Sequence, residues 1–268
     1  MKVSASSLWH RFRFWAAHNR DSRYTDWFLN FRPELEKFAN SHTDEDCFLI
    51  GNGPSLNKTD LRLLDGFHTI GLNKIHLIFD RCFVDLSYHV AVNPFVIEQS
   101  LVDFEKLACP SFLSFHNTEG PSRHKNGMYY LYTDDAPFCF SETVLRPISE
   151  GWTVTFVALQ LAFFLGFRRV FLIGVDHSFS VQGSPNEKQV LQGDDLNHFA
   201  ADYFKGKEWQ LPDLEGSEMA YRLAKFTFDR AGRQVLDATV GGQLDVFRKI
   251  GYSDALAECV RKKKDPLR

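Results

Sequence analysis

Thr153-Val-Thr-Phe-Val-Ala-Leu-Gln-Leu-Ala-Phe-Phe-Leu165-Gly166-Phe-Arg-Arg169-Val170-Phe-Leu-Ile173-Gly174-Val-Asp176-His177 carries the logic of the fold in one stretch. The spacing predicts a helix that begins after Gly151 and runs to Leu165, with Gly166 as the residue that closes it. Its face Val154, Val157, Ala158, Leu161 and Leu165 is expected to lie on a sheet. Val170 to Gly174 then reads as a short buried strand ending in a polar turn.

The same short apolar run recurs upstream in Cys47–Gly51, Thr69–Asn73, Tyr88–Asn93 and Ser111–Phe115. Helical stretches alternate with these runs, which indicates an α/β domain with a Rossmann-like, mainly parallel sheet and helices on both faces. Further helices are expected at about Asp60–Leu64, Glu218–Asp229 and Asp254–Lys262, with a strand at Val235. Phe79–Asp85, Thr118–Asn126 and Gln182–Asp195 read as loops, and Gly183–Asp195 as a mobile lid, since unstructured loops of that length are usually functional. Residues 46–250 form the expected nucleotide-binding domain, 1–45 a helical N-terminal arm, and 251–268 a C-terminal helix with a basic tail.

Composition narrows the class. The chain has 268 residues, 44% hydrophobic, 24% charged and 15% aromatic, with 26 Phe and a formal charge of −3. This is a packed globule, and the Phe excess is expected mainly in its core. The balance offers no basis for nucleic-acid binding. Cys47, Cys82, Cys109, Cys139 and Cys259 form no C-x-x-C pair and read as thiols of a reducing compartment. No apolar run reaches the roughly 18 residues of a membrane span, and no signal-peptide pattern opens the chain, so a cytoplasmic location is expected. In the arm, Leu8, Phe12, Trp15 and Ala16 share a helical face beside Arg11, Arg13 and His18. Two readings stand: a helix capping the main domain, or a basic amphipathic helix peripheral to the inner membrane.

The chemistry gathers at the strand ends. Gly51-Asn52-Gly53-Pro54-Ser55-Leu56 is either a tight turn or a glycine turn whose amides approach a phosphate, with Asn52 and Ser55 as side-chain donors. It is neither a Walker loop nor a dinucleotide fingerprint. Asn73, Asn93 and Gly174-Val175-Asp176-His177 come to the same edge, and Thr153 and Thr155 open a helix whose positive end favours an anion. Together these point to a nucleotide site. Asp176 has two readings, a ribose contact or a helix cap.

These residues also resemble a known family. Gly51 to Leu56, Gly71-Leu-Asn-Lys74, Val92-Asn-Pro-Phe-Val-Ile-Glu-Gln99 and the block from Thr153 to Phe179 look like the bacterial MptE-like 6-hydroxymethylpterin diphosphokinase domains. That family is similar to the sialyltransferases of glycosyltransferase family 42 and to the motility accessory factors that modify flagellin. The resemblance covers about residues 47–250. On the sialyltransferase side it implies a CMP-sugar donor held without a metal cofactor, a glycan acceptor, and a histidine after the lid that deprotonates the acceptor hydroxyl. On the kinase side it implies ATP and Mg²⁺. Ala91-Val-Asn93-Pro94-Phe95 lacks the acid a Mg²⁺ site needs, which favours glycosyl transfer, with the pterin diphosphokinase and a non-catalytic nucleotide-binding protein as alternatives.

His198, in Asn197-His198-Phe199, stands where the family's histidine does. Related domains often read N-H-F-H-P-D-Y-F, whereas this chain continues Ala200-Ala201-Asp202-Tyr203-Phe204, without the second histidine. His177 competes for the role of base, and either histidine has a purely structural alternative. Asp194 and Asp195 read as solvated carboxylates, or as metal ligands on the kinase reading. Trp209-Gln210-Leu211-Pro212-Asp213 reads as a wall of the acceptor cleft or as packing.

Overall fold

A strand that is apolar on both faces must be covered twice, and the chain meets that demand with one parallel sheet flanked by helices. The computed structural model describes residues 22–122, 127–134, 138–179, 183–259 and 261. Its strands are β1 (Asp46–Ile50), β2 (His68–Leu72), β3 (Tyr88–Ala91), β4 (Ser111–Ser114), β5 (Met128–Leu131), β6 (Thr133–Asp134), β7 (Ile148–Ser149), β8 (Arg169–Ile173), β9 (Lys188–Val190), β10 (Glu208–Gln210), β11 (Gln234–Asp237) and β12 (Arg248–Lys249). Eight of them form the main sheet in the order β12-β11-β8-β1-β2-β3-β4-β5. Every pairing in it is parallel.

The helices are α1 (Ser22–Asn30), α2 (Arg32–Leu35), α3 (Pro94–Phe104), α4 (Val154–Leu165), α5 (Leu214–Arg230) and α6 (Tyr252–Glu258). α4 packs over β2 and β3, and α5 packs on α4 and β11. Gly166 closes α4 at φ 100°, a left-handed conformation open to glycine at no cost. α4 has no separate sheet face: every residue after Val154 is buried. Gln160 is tolerated there because Ser141 N donates to its Oε1 at 2.9 Å and its Nε2 donates to Ser149 O at 2.9 Å.

Several sequence expectations change. Gly183–Asp195 is not structureless, because β9 within it pairs antiparallel with β10. α5 starts four residues before Glu218, since Asp213 caps it by accepting from Gly216 N at 2.8 Å. The segment at Asp60–Leu64 is a 3₁₀ turn, Leu61–Leu64. β5 and β12 have no expected counterpart, and α6 lies two residues upstream of its expected start.

Within the described part of the arm, Trp27 is fully buried and its Nε1 donates to Tyr130 O at 2.8 Å, so α1 lies against the β5 edge. The candidate membrane face, Leu8 to His18, and residues 262–268 of the basic tail lie outside the described residues. None of the cysteines forms a disulfide. No helix among the described residues is long and apolar enough to cross a membrane.

Candidate functional site

Strand order reverses between β1 and β8, since the chain steps outward through β2 to β5 and returns on the other side of β1. In open parallel sheets ligands settle at the carboxyl ends of the strands at this switch point. The two strand ends are Gly51-Asn52-Gly53 and Gly174-Val175-Asp176, and they interlock. Gly51 N donates to Ile173 O at 2.8 Å and Gly53 N to Gly174 O at 2.9 Å. A Cβ on Gly51 would sit 2.2 Å from Gly174 O, so only glycine allows this approach.

A cleft of about 150 Å³ opens there. Of the expected site residues, Gly51, Asn52, Gly53, Asn73, Gly174 and Asp176 line it from the strand ends, Thr153 and Thr155 from the start of α4, and His177 and His198 from the loops. Ser55 and Asn93 do not line it. Ser55 donates from N and Oγ to the Asp176 carboxylate at 3.1 and 2.7 Å. Asn93 caps α3, its Oδ1 accepting from Phe95 N and Val96 N at 3.0 and 3.2 Å.

The glycine turn therefore differs from a phosphate cradle. The amides of Gly51 and Gly53 are committed to Ile173 O and Gly174 O at the end of β8, and the amide of Ser55 to Asp176. Asp176 reaches across the switch point to hold the start of the 3₁₀ turn Pro54–Lys58, and burial raises its pKa above the usual carboxylate value. What remains for a ligand is the Asn52 side chain, whose Oδ1 is buried without a partner, and likewise Asn73 Oδ1. Both are acceptors on residues that line the cleft, and a buried unpaired acceptor is costly. A ligand bearing N–H or O–H groups satisfies them. The anion-favouring element is the start of α4, where Thr153, Val154 and Thr155 line the cleft. Thr153 Oγ1 accepts from Thr155 N at 3.3 Å and Thr153 O from Phe156 N at 3.0 Å, so what the helix start offers is its positive dipole end and the Val154 amide.

His198 is built in with care. Phe199 N donates to Asn52 O at 3.0 Å and Asn57 Nδ2 to Phe199 O at 3.1 Å, docking the segment on the glycine turn. His198 Nδ1 lies 2.9 Å from Oδ2 of Asp195, which is buried, and Asp195 Oδ1 accepts from Asn197 N at 3.0 Å. The imidazole stacks on Tyr203 at 4.1 Å and 6°. A buried carboxylate on Nδ1 fixes the tautomer and leaves Nε2 as the reactive nitrogen. Of the two adjacent acids, only Asp194 is exposed, paired with Lys205 at 2.7 Å.

His177 is held differently. Its Nε2 is 3.7 Å from Glu218 Oε1, its pKa is lowered by burial, and its φ is 53°. Asn73 and Trp152 are also left-handed, at 46° and 60°. Non-glycine backbone in this region is strained, and three such residues line one cleft.

Residues that sequence reasoning missed complete the site. Trp152 lies between this cleft and a second one of about 630 Å³ that also holds His116, Asn117, Glu150 and Gln210. Its ring covers Gly216, where a Cβ would meet it at 2.7 Å. Tyr221 places its hydroxyl 3.3 Å from Thr153 Oγ1. Lys74 is buried, donating from Nζ to Gln99 Oε1 at 2.6 Å and Tyr203 O at 2.8 Å, and burial lowers its pKa to about 7. Of these, Lys74 and Gln210 carried a sequence signal, the first as the neighbour of Asn73 and the second within the Trp209–Asp213 element. Gln210 and Pro212 line the second and first clefts while Trp209 is buried, so the Trp209–Asp213 element is both wall and packing.

The class that fold and site define is an α/β protein with a cleft at the switch point of a parallel sheet, lined in part by a histidine that a buried aspartate holds. No family model matches the chain, and neither curated proteins nor solved structures give a match.

Proposed function

We propose that the protein is a nucleotide-dependent transferase, a glycosyltransferase that passes a sugar, of the nonulosonate type, from a CMP-sugar to a hydroxyl of a cell-surface glycan precursor without a metal ion. The observation that carries this reading is the Asp195–His198 pair on the same cleft as Asn52, Asn73 and the start of α4. His198 Nε2 takes the proton of the acceptor hydroxyl as the new C–O bond forms. The bond from sugar to phosphate oxygen breaks, CMP departs, and Asp195 stabilises the imidazolium. The first turn of α4 meets the charge developing on the leaving phosphate. Asn52 and Asn73 accept from donor groups of the nucleoside, and the larger cleft beyond Trp152 receives the acceptor.

Among the described residues Asp176 is the one carboxylate lining the first cleft, and it is engaged by Ser55. That supports the metal-free chemistry over the diphosphokinase, which needs carboxylates for Mg²⁺. The proposal includes a cytoplasmic location, with residues 1–21, upstream of α1, as the segment that contacts the anionic membrane surface. Liposome sedimentation that weakens with salt and with their deletion tests this part.

Calorimetry with CMP, UDP, GDP and ATP, each with EDTA or with Mg²⁺, tests the rest. CMP binding indifferent to EDTA is expected, and His198→Ala is expected to lower turnover by about 10²-fold or more with donor affinity little changed. Magnesium-dependent ATP binding with no response to CMP overturns the proposal in favour of the kinase. Binding without product formation leaves the non-catalytic reading.

A further inference from the structure

The opposite edge of the sheet, where β1, β2 and β3 begin, holds a second cluster that the cleft chemistry does not use. Glu45 immediately precedes β1, His42 lies one turn before it, and His68 opens β2. His42 Nδ1 lies 2.6 Å from Glu45 Oε2, and His68 Nε2 lies 3.0 Å from the same oxygen. The three side chains are largely buried, at 14%, 20% and 13% exposure. Each imidazole has its outer nitrogen beside a hydroxyl: His42 Nε2 is 2.6 Å from Tyr88 OH, and His68 Nδ1 is 3.5 Å from Ser87 Oγ. The His42 ring is further fixed by stacking on Phe167 at 4.6 Å and 4°.

The geometry points to a divalent metal site, of the zinc class, formed by His42 Nδ1, His68 Nε2 and a Glu45 carboxylate oxygen. Two inward ring nitrogens converge on one carboxylate oxygen, and each gap must hold a proton or a cation. One metal ion fills both. Tetrahedral zinc with bonds of about 2.0–2.2 Å places its ligand atoms roughly 3.3 Å apart, so the observed 2.6 and 3.0 Å separations need to open by less than an ångström. Outer nitrogens held by oxygen partners are the usual second layer of a histidine metal site, because they fix the ring and the tautomer. Two imidazoles with one carboxylate suit zinc better than magnesium or calcium, which prefer all-oxygen sets. A water completes the coordination. The role is structural: the ion ties the turn His42–Glu45 to the start of β2, at the far end of the strands from the cleft.

The test uses the full chain without an affinity tag, stripped with EDTA and titrated with Zn²⁺ by calorimetry, then with Co²⁺ as a visible-spectrum probe. One zinc per chain is expected, with the strong visible bands of four-coordinate Co²⁺ and a rise in unfolding temperature as zinc is added. Glu45→Gln keeps the shape and an oxygen acceptor for the imidazoles, so it is expected to stay folded while weakening zinc binding by about 100-fold or more. Cys139→Ser, at the exposed thiol, is expected to change nothing. The inference is overturned if no saturable one-to-one site is found. It is equally overturned if Glu45→Gln binds zinc as the wild type does, the behaviour of a hydrogen-bonded cluster with adventitious binding elsewhere. Neither outcome depends on transferase activity.

Discussion

Gly53→Ala isolates what the glycine turn is for. Gly53 has φ −71°, a conformation alanine adopts freely, so no backbone strain opposes the change. The obstacle is steric, because the added Cβ would sit 1.8 Å from Asp176 Oδ2 and 2.5 Å from its Cγ. An ordinary C···O approach is about 3.3 Å, so the carboxylate must retreat by roughly 1.5 Å. That breaks the 2.7 Å bond from Ser55 Oγ. A hydrogen bond to a charged group contributes about 1.5–3 kcal/mol, and Gly53→Ala is expected to cost that much in urea unfolding followed by Trp fluorescence. With Asp176→Ala in place the carboxylate is gone and the nearest remaining atom is Gly174 O at 3.0 Å, a tight contact that a few tenths of an ångström would relieve. The same change is then expected to be close to neutral, the lost freedom of the unfolded chain offsetting that contact. A double-mutant cycle should thus show a coupling of about 1.5–3 kcal/mol. Equal costs of Gly53→Ala in the two backgrounds refute the steric argument and return the glycine to a direct role toward a ligand.

Lys74 is expected to write its burial into the pH dependence of stability. Its pKa falls from 10.5 to about 7 on folding, so its contribution is fully present above 10.5 and is lost as pH drops through 7. Between those limits wild-type stability should rise with pH relative to Lys74→Met by at most about 1.4 kcal/mol per unit, less where solvent reaches the ammonium; parallel urea-midpoint profiles for the two proteins contradict it. Asn93→Ala removes the α3 cap and is expected to cost about 0.5–2 kcal/mol of stability while leaving CMP affinity within a few-fold, as calorimetry can check. A large loss of affinity in a protein of unchanged stability would instead put Asn93 at the ligand.

Local information was enough for the elements with a strong pattern. The Val154–Leu165 helix, its Gly166 stop and the strand after it were legible because hydrophobic period and capping act within a few residues. So were β1 to β4 and the arrival of Asn52, Asn73 and Asp176 at one edge, since parallel strands all present their carboxyl ends together. β12 and β9 were not, because two or three mostly exposed residues show no period and exist as strands only through pairing with β11 and β10.

The roles inside the site were decided by tertiary structure. Ser55 looks like a ligand donor in isolation, but its partner is a carboxylate 121 residues away. Asn93 is the exception, since it caps the helix that Pro94 opens and that signal is local. Asp195 resembles its exposed neighbour Asp194 in sequence, and only the docking of Phe199 onto Asn52 buries it against His198. His42, Glu45 and His68 are unremarkable until β1 and β2 lie side by side. Sequence alone determined which elements form and which edge carries the polar residues, because those depend on local period and strand direction. Which polar atoms are already spent, and which remain for a ligand, was settled by the packing of β1 against β8, since hydrogen bonds between distant segments leave no mark in the chain.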